Sequence, residues 1–376
     1  KMTLTIHQVK TKKDLKEFLE LPFCLYKDSV NGVPPLRLAV KEFFEPKHPF
    51  NEVGTITSWL AKKDDKVVGR ISAITNSTHE KTYNEKCGFF GFYECIPDKL
   101  VSDKLFETVE SYLKSLGMTK IKGPVNPSTN YECGTLIHGY DLDPYIMMTY
   151  NPPFHKEFIE GNRYQKSMDL ISYHIPVNFQ MPDSLKRISE KIQKKENISF
   201  RTANKKNWDH EVKAMKEIYN QAWEDNWGFV PMTDREFFAT AEGLKYIISE
   251  DFVQFAMVNG KEAGFIGCVP DLNQVLKHMP TGRLFPTGIF KLLNKKKYIT
   301  QIRVLTLGIL PKYRNLGLPS LLFMKAQEAA KNAKLKNGEM GWVLENNLAM
   351  NKPILKLGAR PYKTYRIFEK NLETPR

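Results

Sequence analysis

The feature that most limits how this chain can fold is a weak internal repeat. GNRYQKSMDLI (Gly161 to Ile171) aligns with GARPYKTYRIF (Gly358 to Phe368) at one offset, 358 − 161 = 197. At that offset Gly161 meets Gly358, Arg163 meets Arg360, Lys166 meets Lys363, Ser167 resembles Thr364, and Leu170 resembles Ile367. The order of patterned segments repeats with it. Upstream of the first copy run ITSWLA, KVVGRISAI and GFFGFYEC, a helical pattern from Lys104 to Gly117, then KIKGPVN and YIMMTYN. Upstream of the second run VQFAMV, EAGFIGCV and RVLTLGIL, a helical pattern after Gly317, then EMGWVLENN. Short β-branched and apolar runs read as strands, and apolar residues three and four apart read as helix. Both halves therefore follow one plan, and duplication is the economical reading. The 376 residues leave each copy enough chain for its own core. The boundary is placed near residue 178, which gives a domain over 1–178 and another over 179–376. Between the repeats, Leu185, Ile188 and Ile192 share one face of a surface helix that Asp183 or Ser184 can cap.

The second copy contains a junction with chemical consequences. PKYRNLGLPS (Pro311 to Ser320) lies between the strand-like VLTLGIL and the helical LLFMKAQEAAKNA. A helix N-terminus presents unpaired N–H groups and the positive end of the helix dipole, so it suits a phosphate. Gly317 would let the backbone approach such an anion, and Arg314 would add a charged fork. The alternative is an ordinary glycine turn between strand and helix.

Charge points the same way. The excess of 56 basic over 42 acidic side chains gives a net charge of +14, which attracts an anionic partner such as a nucleotide, nucleic acid or anionic membrane surface. Five cysteines (Cys24, Cys87, Cys95, Cys133, Cys268) are spread without CxxC spacing, which favours a reduced, cytoplasmic setting over a disulfide framework. The eight histidines show no metal-ligand spacing, so no metal is expected. There is neither a run of about 18 apolar residues nor a leader-type apolar stretch at the start. The chain is expected not to span a membrane, while contact with a membrane surface stays open.

On these residues the C-terminal half resembles the GNAT family of acyl-CoA N-acyltransferases. The resemblance rests on a strand ending LGILPKYR, on RNLGLP as a form of the family's Arg/Gln-x-x-Gly-x-Gly/Ala loop, on a strand ending ENN, and on a short helix ending KLGA. It implies an α+β fold of two tandem GNAT-like domains, each a mixed, mostly antiparallel sheet flanked by helices. It also implies acyl-CoA as donor, with its pyrophosphate on Arg314, Asn315, Leu316, Gly317 and Leu318 and its acyl arm along the strand backbone at Leu307 and Ile309. One position departs from the pattern: Pro319 has no N–H to donate, although proline is acceptable in a first helical turn. The N-terminal half keeps the plan without the loop and has Asp98 and Asp103 there, so it is not expected to hold coenzyme A. GPVNPSTNYECGTLIHGYDLDPYIMMTYNPP (Gly123 to Pro153) and YNQAWEDNWGFVPMT (Tyr219 to Thr233) are similar to a bacterial group of double-GNAT proteins that includes the bacterial-type ceramide synthases. For the acceptor this implies the amine of a lipid-like molecule such as a long-chain base.

Acyl transfer to an amine requires a polarised carbonyl, a deprotonated amine and a proton for the leaving thiolate. The residue where many family members carry a proton-donating tyrosine is Ile354. Glu345, with Asn346 beside it, is one candidate base, although a glutamate there can also serve the next helix as a cap. Glu132 of the first half is its rival. Cys133 reads as a structural thiol. Trp223 and Trp227 stand four apart, one helical face, with Asn226 between them; they read as core or as the wall of an acceptor site, together with Asn130 and Tyr150.

An insertion at about 270–302 has no counterpart in a minimal domain of this class. From Lys277 to Arg303 it holds seven basic and no acidic side chains, interleaved with Leu284, Phe285, Ile289, Phe290, Leu292 and Leu293. Basic amphipathic segments suit anionic membrane surfaces, and a solvated charge run is the alternative. Three functional readings follow: an acyl-CoA-dependent N-acyltransferase acting on a lipid-like amine, an aminoacyl-tRNA-dependent transferase of the same fold, and a non-catalytic acyl-CoA or lipid binder. Nucleic acid is the less expected partner.

Overall fold

A computed structural model describes residues 3–195 and 197–372. In chain order the first elements are β1 (Leu4–Gln8), α1 (Lys12–Leu25), α2 (Arg37–Glu42), β2 (Gly54–Lys63), β3 (Lys66–Asn76), α3 (Ser77–Tyr83), β4 (Cys87–Cys95) and α4 (Lys99–Ser115). There follow β5 (Lys120–Gly123), β6 (Val125–Asn126), β7 (Glu132–Cys133), β8 (Thr135–His138), α5 (Phe154–Gly161) and β9 (Gln165–Pro176). The second repeat contains α6 (Asp183–Lys195), β10 (Ile198–Thr202), α7 (Trp208–Trp223), α8 (Asp234–Lys245), β11 (Val253–Val258) and β12 (Lys261–Pro270). It ends with α9 (Asn273–Leu276), α10 (Gly288–Leu293), β13 (Gln301–Ile309), α11 (Leu318–Asn332), β14 (Asn337–Leu344), α12 (Leu348–Lys356) and β15 (Arg360–Asn371). The fold class is the expected α+β.

The chain packs into two compact units, and these are not its two halves. One comprises residues 3–170, 273–294 and 363–372; the other comprises 171–272 and 295–362. A division near residue 178 describes the duplication in sequence, whereas the packing divides within β9 and β15, the two strands of the repeat. In the first unit, Phe368–Asn371 of β15 pair antiparallel with Gly123–Lys120 of β5, so a strand of the second repeat completes the sheet of the first. Repeat-equivalent positions meet there: 366 − 169 = 197, and Arg366 donates twice to Asp169, at 2.7 and 2.9 Å.

The first unit's sheet runs β1-β2-β3-β4-β5-β15. Its antiparallel β2, β3 and β4 meet a parallel β4–β5 pair. α4 covers one face because Val101, Leu105, Phe106, Val109 and Leu113 recur at helical spacing and are all fully buried, against Phe90, Ile121 and Phe368. Burying each such side chain contributes about 1.5–3 kcal/mol. The second unit's sheet runs β10-β11-β12-β13-β14. α11 buries Leu318, Leu321, Leu322 and Phe323 in the second unit's core with Ile266, Ile302 and Met340. α8 starts at a capping box, in which Thr233 accepts from Glu236 N and Glu236 accepts from Thr233 N, each at 3.1 Å.

YIMMTYN, part of the strand pattern in sequence, forms no strand. Asn151 at its end turns its side chain onto the main chain of Leu136, accepting from the N–H at 2.7 Å and donating to the carbonyl at 3.1 Å. A side chain thus satisfies backbone that a ladder would otherwise pair.

Candidate active site

β13 and β14 are parallel neighbours that separate. Their ladder runs from Gln301/Asn337 to Val304/Met340 and stops, although the strands continue to Ile309 and Leu344. On its other side β13 stays paired with β12 as far as Ile309/Gly264. One edge of β13 from Leu305 onward therefore faces a wedge in which its backbone groups have no ladder partner. Leu307 and Ile309, expected as backbone contacts, lie on this stretch with their side chains buried.

The wedge leads to the RNLGLP loop. Residues Pro311–Leu316 form a 3-10 turn, Gly317 has φ +67°, and α11 begins at Leu318. Only glycine takes that backbone angle without strain, and a Cβ there would lie 3.1 Å from Ile192 Cδ1. No side chain caps α11, so its first amides are not claimed by a cap. Arg314 is half-exposed; its Nη2 donates to Ala222 O at 3.1 Å and its Nη1 stands 3.7 Å from Asp225. The arginine therefore ties the loop to the end of α7.

α7 closes one face of β13: a Cβ on Gly308 would touch Ile218 and Ala222, both at 3.3 Å. Thr306 shares the parity of Gly308, and its hydroxyl is buried without a hydrogen-bond partner. Aromatic rings line this side. Tyr219 stacks on Trp223 at 5.6 Å and meets Phe229 and Phe237 at 5.8 and 5.6 Å, and Trp223 meets Trp342 edge-on at 6.3 Å. Trp342 is the second residue past the end of the ladder. The carbonyl before it, of Gly341, accepts from Arg303 Nε at 3.1 Å and Nη2 at 3.0 Å. Arg303 also pairs with Glu339 at 3.3 Å, and Glu339 accepts the Tyr362 hydroxyl. This buried clamp fixes the backbone where β14 leaves β13.

The expected shared helical face of Trp223 and Trp227 does not form. α7 ends at Trp223, and Asp225, Asn226 and Gly228, all turn formers, carry the chain around, with Asn226 N bonded to Trp223 O at 2.8 Å. Trp342 takes the place beside Trp223 that Trp227 was expected to fill.

Glu345 lies half-buried just after β14, its carbonyl accepting from Asn351 Nδ2 at 3.3 Å. Asn346 is exposed, and the cap of α12 is Asn347, which accepts from Met350 N at 3.2 Å. Ile354 is buried, and the phenol that does reach α12, Tyr173, donates to Asn351 Oδ1 at 2.7 Å within the core.

The remaining candidates belong to the first unit. Glu132 is exposed on β7, opposite Asn126; the Asn130 N–H bonds Ser128 Oγ at 3.2 Å; Cys133 is buried. The Tyr150 hydroxyl accepts from Ser29 Oγ at 3.1 Å, and its ring meets Tyr26 at 5.6 Å. In this unit the position equivalent to the wedge is filled by the chain itself. β4 and β5 part after Phe89/Lys122, but Asn126 Oδ1 accepts from Phe92 N at 2.7 Å, and a Cβ on Gly91 would lie 1.8 Å from Val125 O. Asp98 caps α4, accepting from Leu100 N at 3.0 Å, and so sets a carboxylate where the second copy leaves its amides uncapped. Behind this, Tyr26 donates to Glu94, whose carboxyl is pushed up to about 7 by burial against the opposing pull of Arg70, and the buried His155 is pushed down to about 3.

His79, Glu85 and Cys87 place potential metal-ligand atoms within 4.8 Å of one another. Glu85 already pairs with Lys120 at 2.7 Å and Lys122 at 3.1 Å, and burial pushes the Cys87 thiol up to about 12. A cation there would have to displace two lysines.

This architecture defines a tandem GNAT protein. The fold matches a tandem GNAT protein from the clavulanic acid biosynthesis pathway with a TM-score of 0.61 over 100% of both chains, at 10% identity. It also matches the glucosamine N-acetyltransferase region of a fungal multi-domain GH3 beta-N-acetylglucosaminidase (TM-score 0.60, 13% identity, 98% of this chain and 38% of that one). No family model matches the chain. In sequence it is 32% identical over 378 residues to the bacterial ceramide synthase of Caulobacter vibrioides, covering 98% of each. It is 33% identical over 368 residues to Protein YghO of Escherichia coli, covering 96% of this chain and 94% of that protein. The chain belongs to the tandem GNAT acyltransferases, in one family with the bacterial ceramide synthase.

Proposed function

We propose that this acyltransferase takes its acyl group from an acyl-CoA and delivers it to the amine of a long-chain base. The observation that carries the reading is the wedge between β13 and β14, which opens onto the uncapped start of α11. In this reading the α11 amides and the Gly317 turn receive the pyrophosphate. The arm of the donor lies in the wedge, bonding backbone groups of Leu305 to Ile309 that would otherwise lack partners. N–H groups on the same edge polarise the thioester carbonyl, where they are preorganised and cost no reorganisation. Glu345 takes the proton from the amine, directly or through water, and the expelled thiolate leaves protonated by solvent, since Ile354 has no proton to give. The rings of Tyr219, Trp223 and Trp342 form an apolar wall suited to an alkyl chain. The name of the Caulobacter relative supports a long-chain base as acceptor.

The test is mass spectrometry of purified protein incubated with sphinganine and acetyl-, octanoyl- or palmitoyl-CoA. An N-acyl product from a long-chain donor is expected, and its loss in Glu345→Gln would support the assigned base. Absence of product from all three donors, with intact folded protein, refutes the donor and acceptor named here. The net charge of +14 supports aminoacyl-tRNA as the competing donor, and steeply salt-dependent tRNA binding would favour it.

A further inference from the structure

The insertion between β12 and β13 combines anchored residues with large apolar residues left exposed. It is held in the first unit: Val275, Leu276 and Met279 are buried, Asn273 Nδ2 donates to Pro144 O at 2.9 Å, and Lys277 pairs with Asp143. Arg37 donates from its N–H to Gly282 O at 3.0 Å and from its side chain to Thr281 O, and its guanidinium lies 3.7 Å from the Phe23 ring. Gly282 sits so close to Pro35 O and Phe23 that a Cβ would clash at 2.4 and 2.6 Å. The segment is therefore a docked element. It nonetheless exposes Phe285 to 69%, Phe290 to 64% and Leu293 to 73%. Three large apolar side chains exposed within nine residues of an otherwise anchored segment are not explained by loose packing, and apolar exposure of this kind marks an interaction site.

We infer that this face docks on a lipid bilayer containing anionic lipid. Charge selects the occupant. These exposed side chains are followed in the chain by Lys296 and Lys297, both exposed, with Arg283 exposed before them, whereas the half-buried Lys295 donates to Tyr246 O at 2.9 Å; no acidic residue occurs from Lys277 to Arg303. Apolar side chains enter the boundary between headgroups and acyl chains while the lysines meet the negative surface. A second copy of this chain is the poorer fit, because it brings the same +14 charge. Nucleic acid would use the lysines and leave Phe285, Phe290 and Leu293 in water. Among the described residues no helix is long and apolar enough to cross a membrane.

This inference goes beyond the acyl-transfer reading, and its test is scored without substrates. The full-length protein is sedimented with vesicles of phosphatidylcholine alone and of phosphatidylcholine with phosphatidylglycerol, with circular dichroism to check each variant's fold. Capture is expected only by the phosphatidylglycerol vesicles and is expected to fall as salt rises. The Phe285→Ser/Phe290→Ser/Leu293→Ser variant should lose at least about tenfold in partition, and Lys296→Glu/Lys297→Glu at least about thirtyfold. Equal capture by both vesicle types, or variants that bind like the native protein, would overturn the inference. So would binding to duplex DNA with none to vesicles, or concentration-dependent dimerisation abolished by the serine variant. A protein that docks but fails to acylate sphinganine would sink the proposed reaction and leave this surface standing.

Discussion

Replacing Arg303 by methionine tests whether the opening between β13 and β14 is held by one buried clamp. The guanidinium makes two hydrogen bonds to Gly341 O, at 3.1 and 3.0 Å, and an ion pair with Glu339 at 3.3 Å. The two side chains are only 4% and 0% exposed, so water cannot replace either partner. Removing one member of such a pair strands the other charge, at a cost of about 3–5 kcal/mol. The double variant Arg303→Met/Glu339→Leu removes both charges and should recover most of that loss, leaving a coupling of about 2–3 kcal/mol in the cycle. Urea unfolding followed by tryptophan fluorescence suits the measurement, because Trp208, Trp223, Trp227 and Trp342 all lie in the unit that contains the clamp and only Trp59 lies in the other. A loss below about 1 kcal/mol for Arg303→Met, or a double variant as unstable as the sum of the singles, would refute the reasoning. Activity provides an independent readout. If the clamp sets the position of Trp342, the double variant should regain stability without regaining its native preference among donor chain lengths.

Arg314→Ala should weaken acyl-CoA binding by about 1.5–3 kcal/mol if the charge reaches a phosphate; unchanged affinity by calorimetry would reduce the arginine to its bond with Ala222 O. Gly317→Ala should destabilise the protein by about 1 kcal/mol through its φ of +67° and raise the donor KM, and a normal Tm with normal KM would argue against the turn as an anion seat. Glu94 is raised in the folded state from 4.5 to about 7, so the stability it contributes is complete below pH 4.5 and lost as pH rises through 7. Glu94→Gln should therefore gain on the native protein by about 3 kcal/mol between those limits, and a difference independent of pH would show that the carboxyl is not held in its protonated form.

Much of this was legible in sequence, for identifiable reasons. Period and turn chemistry are local, so β11, β12, β13 and α11 stand where the apolar runs and Gly317 indicated. The insertion announced itself by seven basic residues without an acid. Exchange of the finishing strands was not legible, because the pairing of Phe368 with Gly123 joins residues far apart in the chain and leaves no mark in either segment. Trp223 and Trp227 were misread because four-residue spacing implies a shared face only while the helix lasts, and it ends at Trp223.

The site itself depends on the kind of fact that is hardest to read from sequence, which is where pairing stops. RVLTLGIL and EMGWVLENN both look like full-length strands, and both are. What distinguishes them is that they bond to each other only as far as Val304 and Met340. Thr306 and Trp342 sit just past that point, as an unpartnered hydroxyl and a ring against Trp223, and neither is unusual for a strand. GFFGFYEC and KIKGPVN make the same start in the first unit, with pairing that ends at Phe89 and Lys122. There Asn126 fills the opening and Asp98 caps the helix beyond it. The same strand geometry thus yields an open edge in one copy and a sealed one in the other, and the difference lies in two polar side chains placed beyond the ends of the paired strands.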